Sequence, residues 1–127
     1  MKTTRIAIYA RTKSNNTNSD IISTIQSYVK AKDNWEITGI YNDIDCSAFD
    51  LTRPQLQNLI SDFEKGLFDV IIINTFSQLC RDIKTYLKIQ KKHKAFTDKI
   101  FVIEFNDFTE NIFSHGIEQF FKLIADE

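Results

Sequence analysis

Glycine and proline are scarce in this sequence, with three glycines and one proline among 127 residues. Flexible linkers, collagen-like repeats and low-complexity segments need far more of these residues, so the composition excludes all three. Because 43% of the residues are hydrophobic and 26% are charged, the chain has the balance of a folded protein rather than a disordered one. We expect residues 1–127 to form one domain without an internal boundary.

Residues that bind metal ions or form disulfides are also few. Cys46 and Cys80 are the two cysteines, His93 and His115 are the two histidines, and none of them has the spacing of a zinc site. This usage favours a reducing compartment and no structural metal. No apolar stretch approaches the roughly 20 residues that span a bilayer, so we expect no membrane association and a cytoplasmic location.

The sequence has no excess of positive charge either. Sixteen lysines and arginines face seventeen aspartates and glutamates, which gives a net charge of −1. Domains that bind nucleic acid strongly on their own usually have a basic face or a high isoelectric point. If DNA is a partner, this domain is therefore not its main anchor, and we expect it to bind DNA weakly.

A clear strand signal lies near the start of the chain. Residues 6–10 are apolar without a turn former, and polar residues take over at Arg11, as expected for a buried strand whose carboxyl end opens into a loop. Further strands are predicted at residues 35–41, 68–74 and 99–105. The run at 68–74 is the most typical of a central parallel strand.

Helical patterns follow each of these strands. The predicted helices begin at Ser19, at residues 52–54, at about Asp82 and at about Ser114. The second stops at Gly66, and the last carries four apolar residues on one face, namely Ile117, Phe120, Phe121 and Ile124. This alternation predicts an α/β fold, with a mostly parallel sheet of four or five strands, helices on both faces and right-handed crossovers.

Polar side chains follow three of the predicted strands, and the carboxyl ends of parallel strands meet at one edge of a sheet. The candidate site residues are Arg11, Lys13, Ser14, Asp43, Ser47, Ser77, Gln78 and Arg81, with Arg53 at the start of the second helix. Cations neutralise a phosphodiester, and hydroxyls and amides orient it, so the cluster suits a phosphate-bearing partner. The alternative, that these are solvated loop residues, stays open.

Several short motifs follow one another along the chain in a particular order and spacing. They are Tyr9-Ala10-Arg11, Gln26, Trp35-Glu36, Asp43 with Ser47, Arg53-Pro54, Phe68-Asp69-Val70 and Leu79-Cys80-Arg81. Together they resemble the N-terminal catalytic domain of the serine recombinases, the resolvase and invertase family, and especially its large-recombinase branch. The resemblance covers essentially the whole chain. It implies a resolvase-like fold that cuts and rejoins DNA at specific sites through a phosphoserine link, without metal or cofactor.

The resemblance also implies roles for individual residues. The expected catalytic residues are Arg11, Ser14, Arg81, Asp43 and Ser47. The residues expected to bind phosphate and DNA are Arg11, Lys13, Arg53 and Arg81. Because the last predicted helix continues in the family into a segment that packs subunits together, we expect a homo-oligomer or a pairing with another recombinase subunit.

Three positions depart from the family pattern. The family motif Tyr-x-Arg-x-Ser puts Lys13 where the nucleophilic serine belongs, and Ser14 follows one residue later. In the family motif Asp-Arg-Leu-x-Arg, Ser77 and Gln78 replace the first two residues. An ammonium group binds phosphate but cannot form the same ester, so we expect DNA cutting to be reduced or lost. A bulge at the end of the first strand would bring Ser14 to the site instead.

Two functions from different classes stay open. The first is a recombinase catalytic domain, active or partly active, whose DNA-binding region is not in this chain. The second is a non-enzymatic relative that keeps the fold for assembly or regulation and pairs with an intact recombinase. A nucleotide-binding domain ranks behind both, because no glycine-rich phosphate loop follows the first strand.

Overall fold

The computed structural model describes residues 2–14 and 19–103. Four strands form one sheet there: β1 (Thr4–Thr12), β2 (Trp35–Ile44), β3 (Val70–Ile73) and β4 (Ile100–Val102). Their order across the sheet is β2-β1-β3-β4, and every neighbouring pair is parallel. The predicted α/β class and mostly parallel sheet are therefore confirmed.

The helices of the described residues are α1 (Ser19–Lys30), α2 (Pro54–Glu64), α3 (Ile83–Lys92) and α4 (Lys94–Thr97), with a 3-10 turn at Phe76–Gln78. Asp82 caps α3, because its carboxylate accepts the Thr85 backbone N–H at 3.3 Å. The short α4 directly after His93 was not predicted. The helix predicted from Ser114 onward, and the end of the predicted fourth strand, lie outside the described residues.

Strand β1 is one of the two inner strands of the sheet, since it pairs with β2 on one side and β3 on the other. Its residues Ile6 to Ala10 have no solvent exposure. Side chains alternate between the two faces of a strand, so both faces of β1 must be covered. Helix α1 covers one face, where Ile25 and Val29 pack on Ile6 and Ile8. Helices α2, α3 and α4 cover the other face, which contains Ala7 and Tyr9.

One bulge interrupts the pairing of β1 with β2, and it lies in β2. Ile6 is opposite Ile37 and Ala7 is opposite Gly39, so Thr38 is the extra residue. From Ala7 onward the register is continuous to Thr12 opposite Ile44. The bulge considered at the end of β1, which would have moved Ser14 by one position, is therefore not what the structure shows.

Strand β2 is longer than predicted and changes the setting of one candidate residue. The prediction ended the strand at residue 41, whereas the ladder continues to Ile44. Asp43 thus lies within the strand, opposite Arg11, instead of in the following loop. Its neighbours along the strand are exposed or half-buried, but Asp43 itself is buried.

Among the described residues, no helix is long and apolar enough to cross a membrane.

Gly66 ends α2 in a conformation that other residues adopt at a cost, as predicted from the sequence. Its φ is +75°, the Gly66 N–H donates to the Phe63 carbonyl, and the Leu67 N–H donates to the Asp62 carbonyl. This is the Schellman arrangement, which satisfies the last carbonyls of a helix. A Cβ at Gly66 would meet nothing within 4 Å, so a substitution there tests backbone conformation alone.

We expect Gly66→Ala to lower the free energy of unfolding by about 1 kcal/mol, because the Cβ of alanine destabilises the left-handed backbone conformation. Gly66→Asn is the matched control, and it should cost less since asparagine tolerates this region. Urea unfolding followed by Trp35 fluorescence measures both. Equal costs for the two variants would contradict this account of the helix end.

Candidate functional site

A pocket of about 580 Å³ opens at the carboxyl edge of the sheet, where β1 and β2 end. Its lining residues come from the ends of both strands and from the segment before α3: Arg11, Lys13, Ser14, Asp45, Cys46, Ser47, Ala48, Phe49 and Arg81. A smaller cavity of about 270 Å³ adjoins it, since Arg11, Lys13 and Arg81 line both. Ser77 and Gln78 line the smaller one.

Arg11 lines both cavities and is itself held by two segments, the loop after β2 and the 3-10 turn. Its backbone N–H donates to the Gln78 Oε1 at 2.8 Å, its Nη1 donates to the Cys46 carbonyl at 3.2 Å, and its Nη2 donates to the Ser77 carbonyl at 3.0 Å. The Arg11 Nε is buried and makes no hydrogen bond. Burial, and then the nearby charges of Arg81 and Arg53, lower the pKa of the Arg11 guanidinium. An anion would relieve both penalties.

Arg53 lies beneath the pocket with no solvent exposure and does not line it. Its Nε donates to the Asp50 carbonyl at 2.8 Å, its Nη1 to the Tyr9 hydroxyl at 3.1 Å and to the Gln78 carbonyl at 3.4 Å, and its Nη2 to the Leu79 carbonyl. A buried guanidinium needs such a set of acceptors. The side chain therefore connects β1, the loop before α2 and the end of the 3-10 turn.

Asp43 is also buried and serves the start of α2. Its carboxylate accepts the backbone N–H groups of Gln55 and Leu56 at 2.8 and 2.9 Å, and the Tyr9 hydroxyl at 2.8 Å. These two N–H groups have no partner within the helix, so Asp43 does the work of an N-cap from a neighbouring strand. Burial, together with this carboxylate, raises the pKa of Tyr9. In this structure Asp43 and Arg53 support the pocket from below.

Ser14 makes a contact that sequence reasoning missed. Its hydroxyl donates to the Asp45 Oδ2 at 2.6 Å, and its backbone N–H donates to the Asp45 Oδ1 at 2.9 Å. Asp45 adopts a φ of 59° and donates its own N–H to the Thr12 carbonyl, which places the carboxylate over the end of β1. A carboxylate two residues after Asp43 was visible in the sequence, but only this turn brings it to Ser14.

The remaining candidates differ in how far they are engaged. Lys13 is exposed and lines both cavities, and Arg81 does the same. Ser47 lines the pocket while its hydroxyl accepts the Phe49 N–H at 3.1 Å. Ser77 exchanges a hydrogen bond with Thr75, and Gln78 is buried with its Oε1 on Arg11. The structure thus brings the predicted residues to one edge, with Asp43 and Arg53 below the surface.

Within residues 2–14 and 19–103, no group of three histidine, cysteine or acidic side chains is arranged to hold a metal ion. Cys46 borders the pocket, and burial followed by the charge of Asp43 raises the pKa of its thiol, which disfavours the thiolate. The polar groups that line the pocket are guanidinium, ammonium, hydroxyl, carboxylate and thiol groups.

Comparisons with known proteins agree on one family. The family model for the N-terminal domain of resolvases matches residues 6–127. Among solved structures, the N-terminal catalytic domain of TP901-1 integrase is 26% identical, with 95% of this chain and 92% of that chain covered and a TM-score of 0.68. No curated protein sequence matches the chain.

Two more distant structures share the fold. The C-terminal catalytic domain of ISC1926 TnpA, an IS607-like serine recombinase, is 23% identical, with 96% of this chain and 81% of that chain covered and a TM-score of 0.64. A serine recombinase from Sulfolobus solfataricus is 17% identical, with 98% and 82% covered and a TM-score of 0.56. At these identities the likeness concerns the fold alone.

We expect Arg53→Met to lower the free energy of unfolding by about 3 kcal/mol or more, because it leaves several buried acceptors without a donor. Arg81→Met is the matched control, and it should change the free energy by no more than about 0.5 kcal/mol, since Arg81 is exposed. Chemical denaturation measures both variants. Similar small effects from the two would show that Arg53 does not hold the loops together.

We expect Ser14→Ala to raise the pKa of Asp45. The hydrogen bonds from Ser14 are the largest cause of the low pKa of Asp45 in the native protein. A depressed native pKa stabilises the fold above the pKa of the unfolded chain, and this contribution is lost as the pH falls through the native pKa. The variant should therefore lose less stability on acidification.

Carbon-13 NMR titration of the carboxyl groups measures the pKa of Asp45 in the unmodified protein and in Ser14→Ala. Asp50 is the internal control, because its pKa is lowered by Thr52 and should not respond to Ser14→Ala. If Asp45 titrates in the unmodified protein at the ordinary aspartate value, the Ser14 contact does not persist in solution.

Proposed function

The chain belongs to the resolvase family of serine recombinase catalytic domains, and from that premise we propose that it binds a DNA phosphodiester in the pocket but cuts it slowly or not at all. The observation that carries this proposal is the position of Lys13. In the family motif Tyr-x-Arg-x-Ser it replaces the serine, and here its side chain is exposed in the pocket beside Arg11 and Arg81. A phosphate site thus remains where the nucleophile is missing.

The charges of the pocket support phosphate binding. Burial, and then the nearby charge of Arg81, lowers the pKa of Arg11, and Lys13 adds a third cation to the same lining. Guanidinium groups suit phosphate oxygens, and an ammonium acts as a further point charge. The exposed carboxylate of Asp45 lies in the same pocket and opposes an anion, although Ser14 already donates to it.

The loss of cutting follows from the chemistry of the reaction. A serine hydroxyl forms a new ester to phosphorus while the bond from phosphorus to the leaving strand breaks, and the hydroxyl proton must be removed. A lysine ammonium has no lone pair with which to attack. Ser14 has the right group, but it stands one residue later and its hydroxyl is engaged by Asp45 at 2.6 Å.

The other two departures act in the same direction. Gln78 cannot supply the charge of the family arginine, and its Oε1 accepts the Arg11 backbone N–H at 2.8 Å, so this residue supports β1 instead. Ser77 has no carboxylate, and its carbonyl accepts the Arg11 Nη2 at 3.0 Å. Loss of one group that stabilises a transition state typically costs about 100- to 1,000-fold in rate.

A second candidate function is that of an assembly or regulatory partner for an intact recombinase, and the structural use of the Gln78 side chain favours it. Gln78 occupies a catalytic position of the family, and its Oε1 accepts the Arg11 backbone N–H at 2.8 Å. Its side chain therefore supports the end of β1. In this function the domain self-associates or pairs with another recombinase subunit and contacts DNA weakly by itself.

We expect the protein, fused to a DNA-binding segment and given a suitable site, to form no covalent link to DNA. Lys13→Ser alone should recover little, because groups that act as a unit are not additive. The triple change Lys13→Ser, Ser77→Asp and Gln78→Arg should recover measurable cutting. Denaturing gel electrophoresis of trapped protein–DNA adducts measures this, with an active serine recombinase run beside it.

Two outcomes would count against the proposal. An adduct trapped by the unmodified protein shows that cutting is retained. If Ser14→Ala abolishes that adduct and peptide mapping places it on Ser14, the nucleophile is the neighbouring serine and not the residue at the family position.

A further inference from the structure

Helix α3 presents a row of exposed lysines on one side. Lys84, Lys88 and Lys91 are spaced by four and three residues, which puts them on one face of the helix, and all three are exposed. The opposite face is buried through Tyr86 and Ile89. We refer to Lys84, Lys88 and Lys91 as the lysine row.

The charge of this region differs sharply from that of the whole chain. Residues 83–99 contain six lysines and one carboxylate, whereas the chain has a net charge of −1. The one carboxylate, Asp98, pairs with Lys94 at 3.2 Å. No ion pair of the described residues involves the lysine row. Its three charges are therefore available to an outside anion.

The lysine row starts beside the pocket. Arg81, which lines both cavities, comes three residues before Lys84, and Asp82 caps the helix between them. From Lys84 to Lys91 the row extends about 10 Å, given a rise of about 1.5 Å per residue. Three positive charges over this distance match the dense negative charge of a duplex, which carries a phosphate about every 3.4 Å along each strand.

We propose that the lysine row binds the phosphate backbone of duplex DNA next to the phosphodiester held in the pocket. The proposal rests on the proposed function, since the pocket supplies the neighbouring phosphate. An acidic protein is the competing partner, but lysine is depleted in the cores of protein interfaces, whereas contacts to a nucleic acid backbone need only charge. The chain therefore contacts DNA over a longer track than the pocket alone.

The experiment compares two triple variants of the 127-residue chain by fluorescence anisotropy with a labelled duplex. One is Lys84→Gln, Lys88→Gln and Lys91→Gln. The control is Lys2→Gln, Lys30→Gln and Lys65→Gln, which removes the same charge from exposed positions elsewhere. We expect the first to weaken binding at least about tenfold at 50 mM salt and to reduce the slope of log affinity against log salt by up to about 2.7. The control should stay near the unmodified protein.

A second measurement separates this proposal from the proposed function. Inorganic phosphate should raise the thermal midpoint of the unmodified protein and of the lysine-row variant alike, but not of Lys13→Gln with Arg81→Gln, because those two residues line the pocket. If phosphate does not raise the thermal midpoint of the unmodified protein, the pocket assignment is wrong. If the lysine-row variant still binds the duplex more weakly in that case, the assignment of the lysine row to DNA is supported on its own.

The proposal is overturned if the unmodified chain fails to bind the duplex at 50 mM salt, or if the two triple variants bind the duplex with equal affinity. It is also overturned if the lysine-row variant keeps its affinity for DNA and loses affinity for a poly-glutamate peptide. That last result would assign the lysine row to an acidic protein partner.

Discussion

The buried guanidinium of Arg53 is the interaction on which the functional edge of this domain depends. It donates to Tyr9 in β1, to the Asp50 carbonyl before α2, and to the carbonyls of Gln78 and Leu79 at the end of the 3-10 turn. A charge with no solvent exposure is stable only if such acceptors surround it. The hydrogen bonds that the buried Arg53 guanidinium requires therefore hold these three chain segments close to one another.

Asp43 extends this network to the helix that begins beside it. The Tyr9 hydroxyl accepts from Arg53 at 3.1 Å and donates to Asp43 at 2.8 Å, and Asp43 in turn accepts two N–H groups of α2. Each polar group in this chain of contacts has a partner, which is the condition for a buried network to stabilise a fold. Asp43 and Arg53, which the sequence predicts as site residues, are thus buried in a network that does not line the pocket.

The residues around the pocket make structural contacts or remain exposed. Gln78 accepts the Arg11 backbone N–H through its side chain, Lys13 is exposed in the pocket, and the Ser14 hydroxyl donates to Asp45. Phosphate binding depends on charge near the surface, whereas cutting depends on one hydroxyl in one place. This difference is the physical basis of our proposal that the pocket binds a phosphodiester but cuts it slowly or not at all.

The sequence by itself determined the sheet and the edge at which the site lies. The apolar run that ends at Arg11 predicted β1, and the glycine at position 66 predicted the end of α2, because backbone conformation and burial act over short distances. The motifs from Tyr9 to Arg81 indicated the family, which the family model confirms. Only the tertiary structure decided which of the polar candidate residues face outward and which are buried.

Asp43 and Arg53 are as hydrophilic as Lys13, and their burial depends on hydrogen-bond acceptors and donors that come from distant segments. The contact of Ser14 with Asp45 joins residues 31 positions apart, so local spacing could not reveal it.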